Sequence, residues 1–129
     1  MIALVETASG TFAVELDSGD VEPADEEAVA GPSPTLDLPR LVAAAASGAT
    51  VVAVVDAKPP LLVSHDAGTT WRAAGRGLPP GRAVAIADDD PDTILYGARN
   101  RLYLSRDGGV FWNALVGELP EISGLSLRG

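Results

Sequence analysis

The chain has 129 residues, the size of one ordinary domain, and its 47% apolar content is enough for a core, which argues against wholesale disorder. Eighteen acids against nine bases leave a formal charge of −9, the wrong sign for a general nucleic-acid binder or for docking on an anionic membrane. The absence of cysteine removes any disulfide framework and any thiolate metal site.

In chain order, Met1-Ile2-Ala3-Leu4-Val5 reads as a short strand. It lacks the basic flank of a secretory leader, and from this a cytoplasmic location is expected. Thr11-Phe12-Ala13-Val14-Glu15 reads as a second strand, closed by an Asp17-Ser18-Gly19 turn. From Glu22 through Pro34 an acidic, proline-bearing stretch predicts a long surface loop. Leu41 to Ala46, the longest apolar run, is too short to cross a bilayer. Its alanines favour helix locally, but its place in the repeat described below predicts a strand. Strands follow at Thr50–Val55 and Leu61–Val63, then at Ala83–Ile86, Thr93–Ala98 and Leu102–Leu104. Ala87-Asp88-Asp89-Asp90-Pro91-Asp92 falls between two of these. It lacks the glycine and terminal glutamate of an EF-hand loop and reads as a solvated turn rather than a cation site.

One octet occurs twice. Ser64-His65-Asp66-Ala67-Gly68-Thr69-Thr70-Trp71 returns 41 residues on as Ser105-Arg106-Asp107-Gly108-Gly109-Val110-Phe111-Trp112, sharing Ser-x-Asp-x-Gly-x-x-Trp. The strands before each copy also match, and the segment from Met1 to Glu22 is a worn third copy in which Glu15 replaces the Ser and Glu22 the Trp. A period near 40 made of short strands and turns is the pattern of a four-stranded propeller blade. With strands lettered A to D from the axis outward, the chain reads B-C-D, A-B-C-D, A-B-C-D and a lone A at Gly124–Leu127.

The expected fold is therefore all-β: a β-propeller type domain of antiparallel four-stranded blades, three per chain. Residues 1–37 hold an incomplete blade and the acidic loop. Residues 38–78 and 79–120 hold two full blades, and 121–129 a lone inner strand. Propellers usually have about four to eight blades, and an open sheet edge invites pairing. This predicts a homodimer in which each lone strand completes the partner's first blade, giving a six-bladed ring.

The octet resembles the Asp-box, or BNR, repeat of sialidases, sortilin-type receptors, xyloglucan-cleaving glycosidases and a photosystem II assembly factor. That resemblance implies the propeller fold, but the repeat is found in enzymes and non-enzymes alike, so it does not imply an activity. Locally, the Asp can accept backbone N–H bonds in the C–D hairpin, the Gly can supply a positive φ, and the Trp can cover the turn. Ser64, Asp66, Gly68, Trp71, Ser105, Asp107, Gly109 and Trp112 are accordingly read as structural rather than as calcium ligands or catalytic acids.

His65 is the single histidine and lies at a variable octet position, so it reads as surface. Sialidases of this fold use an arginine triad and a tyrosine nucleophile; Tyr96 and Tyr103 fall mid-strand, and no arginine trio matches. A two-carboxylate glycosidase pair is not evident either. No catalytic residue, metal or cofactor is expected.

Bases segregate instead. Arg40, Lys58, Arg76, Arg82, Arg99 and Arg101 map to the rim formed by the D–A and B–C loops, which Glu118, Glu121 and the acidic Glu22 to Asp37 segment share, with Arg40 and Arg82 at the channel mouth. A site for an anionic small molecule or an acidic protein segment is expected at Arg40, Arg82, Lys58, Arg99 and Arg101. The function that follows is a non-catalytic binding or scaffold protein. The alternatives are a lectin-like carbohydrate-binding module, for which the 5% aromatic content offers little stacking surface, and then a glycoside hydrolase.

Overall fold

The computed structural model describes residues 1–25, 36, 38–115 and 117–128. The larger part of the predicted acidic loop, 26–35, lies outside the described residues, as do 37, 116 and 129. Twelve strands form three antiparallel four-stranded sheets, and no helix occurs among the described residues.

The second blade is the run β4 (Leu41–Ser47), β5 (Thr50–Val55), β6 (Leu61–Ser64) and β7 (Arg72–Ala74), hydrogen-bonded in that order. The third is β8 (Gly81–Ile86), β9 (Ile94–Ala98), β10 (Leu102–Ser105) and β11 (Asn113–Ala114). The alanine-rich run is a strand, β4, as the repeat predicts. Its partner β5 is buried at every position, which explains why that strand reads Thr-Val-Val-Ala-Val-Val without polar alternation. The octet tryptophans end the C–D turns rather than open the fourth strands, since β7 begins at Arg72 and β11 at Asn113.

The first blade is β1 (Ile2–Thr7), β2 (Gly10–Glu15) and β3 (Val21–Pro23), with β12 (Ile122–Arg128) as its inner strand. This corrects the expectation of strand exchange. The last strand is not lent to a sister chain: it lies antiparallel to β1 of its own chain, from Ile2 opposite Arg128 to Val5 opposite Leu125. After β11 the chain returns to the axis and lays down the inner strand of the next blade, and that neighbour is the first blade. With β12 paired inside its own chain, no inner strand among the described residues is left over to require a six-bladed ring of two chains.

The third blade sits between the other two. Val52, Val54, Leu61 and Val63 of the second blade pack against Val84, Ile86, Ile94 and Tyr96 of the third. Ala85, Leu95, Leu102 and Leu104, from the third blade's other face, meet Ala3, Val5, Val14, Ile122 and Leu125 of the first. These side chains alternate along each strand, so one sheet feeds two core layers. The inner strands β4, β8 and β12 together line an axial cavity of about 550 Å³.

Candidate functional site

The two octets fold into the same turn. In the second blade the Ser64 hydroxyl donates to Asp66 Oδ1 at 2.7 Å and accepts the Gly68 N–H at 2.8 Å. Asp66 Oδ1 also accepts the Thr70 N–H at 2.8 Å, and Oδ2 accepts the Thr70 hydroxyl. In the third blade Ser105 donates to Asp107 at 2.8 Å, Gly109 N–H to Ser105 at 2.9 Å, and Phe111 N–H to Asp107 at 3.0 Å. Gly68 and Gly109 have φ of 89° and 91°, the left-handed region that glycine enters without a Cβ clash. Trp71 and Trp112 lie half-buried over these glycines, and Trp112 Nε1 donates to the Gly109 carbonyl at 3.0 Å.

These bonds favour the charged carboxylates. Thr70, through its hydroxyl and then its N–H, with Ser64 behind it, lowers the Asp66 pKa from 3.8 to about 2. Asp107 is lowered too, first by the Phe111 N–H and then by the Ser105 hydroxyl. An acid held ionised by its own turn is poorly suited to donate a proton near neutrality.

The basic rim is partly assembled. Arg82, Arg99 and Arg101 line one cleft of about 630 Å³, with Pro79, Pro80 and Tyr103. Two glutamates from the β11–β12 loop meet them. Glu121 lies 3.3 Å from Arg82 and 3.8 Å from Arg99, and Glu118 lies 3.5 Å from Arg101. The backbone sets this up: Ile122 N–H donates to the Arg99 carbonyl at 2.7 Å and Leu119 N–H to Asn100 at 2.8 Å, tying that loop to the β9–β10 turn. All five side chains are well exposed, so each ion pair contributes little, about 0–1 kcal/mol, and a ligand can displace it. Tyr96, fully buried, donates to the Pro79 carbonyl at 2.6 Å and fixes the proline wall. Burial, and then Tyr103, raise its pKa, so the phenol stays neutral.

The other expected site residues lie elsewhere. Lys58 shares a separate cavity with Arg76. Arg40, at φ 60°, is exposed and accepts the Asp56 N–H on its carbonyl. Among the described residues Arg82 lines the axial cavity and Arg40 does not, so the paired-arginine mouth expected of a two-chain ring is not formed within this chain. Asp90 closes the predicted aspartate turn, accepting the Asp92 N–H at 3.2 Å and the Thr93 hydroxyl at 2.8 Å. Between the C–D turns, Arg106 pairs with Asp17 at 2.7 Å, bridging third and first blades. His65 is exposed, its ring beside the Thr50 hydroxyl at 3.3 Å. Glu118 and Glu121 are expected on the arginine rim from their loop position, but which arginines they pair with depends on backbone bonds between two loops.

No family model and no curated protein matches this chain. Among solved structures it is similar to the crystal structure of a GH74 enzyme from Niastella koreensis, at 25% identity and a TM-score of 0.45. That match covers 88% of this chain and 18% of the other, so the chain spans under a fifth of the structure it resembles. No helix among the described residues is long and apolar enough to cross a membrane.

Proposed function

We propose that this chain is a non-catalytic binding protein whose three blades present an anion site at the Arg82, Arg99 and Arg101 cleft. The observation that carries the reading is the convergence of three arginines on one cleft against two exposed, displaceable glutamates. A carboxylate or phosphate entering it exchanges a solvent-screened contact for a bidentate guanidinium contact. Binding without catalysis is favoured because Asp66 engages both its oxygens and Asp107 its Oδ1 within their turns, and Tyr96 is buried with its hydroxyl on Pro79. The octets are read, within the same proposal, as Asp-box repeats that brace the blades.

Isothermal titration with citrate and with inorganic phosphate at low ionic strength tests the site. Binding is expected to weaken about tenfold or more in the triple variant Arg82→Gln, Arg99→Gln, Arg101→Gln, the loss of a charge-assisted contact or two. Equal affinity in the two proteins would rule the cleft out.

A further inference from the structure

The two octets differ at the exposed end of the turn, where Val110-Phe111 stand in place of Thr69-Thr70. Thr70 gives Asp66 both its N–H and its hydroxyl, whereas Phe111 gives Asp107 only an N–H. The third blade therefore lacks one hydrogen bond, and in its place Phe111 is 73% exposed with Val110 beside it at 55%. The turn gains nothing from this, because neither side chain is buried.

Both residues line one end of a cavity of about 440 Å³ whose opposite wall is β7 and the segment after it. A second cavity, of about 540 Å³, shares Arg76, Gly77 and Leu78 with the first and continues to Lys58 and Pro59. Together they form one trough across the outer side of the second and third blades. Its charged lining residues are Arg72, Arg76 and Lys58, with no carboxylate among the described residues. On a chain with twice as many acids as bases this is a marked segregation of charge. Unlike Arg82, Arg99, Arg101 and Arg106, these three cations have no ion-pair partner among the described residues, although Arg72 Nη2 donates to the Gly108 carbonyl at 3.0 Å. β7 is moreover the edge strand of its sheet, so the outward backbone groups of Arg72–Ala74 have no ladder partner among the described residues.

We propose that this trough is a docking surface for an extended acidic segment of a partner protein. Its carboxylates meet Arg72, Arg76 and Lys58, and an apolar side chain packs on Val110 and Phe111. Charge complementarity selects the acidic partner, and the open strand edge selects an extended one. The surface is separate from the Arg82 cleft, so either proposal can fail alone.

The probe is a fluorescent peptide of alternating Glu and Leu, titrated against the full chain by anisotropy. Arg72→Gln with Arg76→Gln is expected to weaken binding about tenfold or more, and Phe111→Thr about fivefold. A Gln–Leu peptide is expected not to bind. Phe111→Thr installs the residue that the second blade carries at this position, so its melting curve serves as the folding control. The proposal is overturned by no binding up to about 1 mM peptide, by affinities equal across the variants, or by loss on the Arg82 side alone. Preference for a sulfated polysaccharide, with Phe111→Thr without effect, overturns it equally.

Discussion

The carboxylate of Asp66 holds its turn together through the Thr70 N–H, the Thr70 hydroxyl and the Ser64 hydroxyl, and each of those bonds weakens when the acid is protonated. Its folded pKa, about 2, lies below its ordinary value of 3.8. Protons therefore favour the unfolded chain: the contribution is complete above 3.8 and is lost as pH falls towards 2. Asp66→Asn is expected to be less stable at neutral pH and to flatten the fall in denaturation midpoint across that acid window. Midpoint curves of the two proteins that run parallel would contradict this. The roles of Ser, Asp and Gly were legible in the sequence because they act within eight consecutive residues. The exposure of Phe111 was not legible, because it stands at a variable position of the octet and depends on which blades flank the turn.

Among the elements, the inner strands of the two full blades followed from short Val- and Ala-rich runs between turn residues, and the repeat outweighed the helical preference of Leu41–Ala46. What holds β8 in place was not legible. Gly81 lies directly under the Tyr96 ring, whose atoms occupy the space a Cβ would take, and the ring is pinned by its bond to Pro79. The contact joins residues fifteen apart in sequence through the β8–β9 hairpin, where Gly81 faces Ala98 beside a register shift. Gly81→Ala is expected to destabilise the chain by about 1–3 kcal/mol, since the tyrosine cannot move aside without giving up its hydrogen bond. A change under about 0.5 kcal/mol in chemical denaturation would mean that the ring adjusts freely. The same hairpin and proline wall support the Arg82 cleft, so its anion affinity should fall along with stability.

For the whole molecule, the strand count was correct and the partner of the last strand was not. Three blades are fewer than the about four to eight of usual propellers, and from this a second chain is expected to complete the ring. Yet β12 needs only to lie beside the third blade, where it completes the first, and a closed ring is not required. The two core layers on either side of the third blade, with the rim clefts between their loops, depend on that placement. Leu4 and Ser126 face each other across β1 and β12, and the chain has no cysteine of its own. Cysteines at directly opposed antiparallel positions, with Cα atoms about 4.5–5.5 Å apart, are within bridging distance. In the double variant Leu4→Cys, Ser126→Cys, mild oxidation followed by non-reducing electrophoresis should give a single-chain band with no free thiol, whereas a disulfide-linked dimer would show that the last strand belongs to another copy.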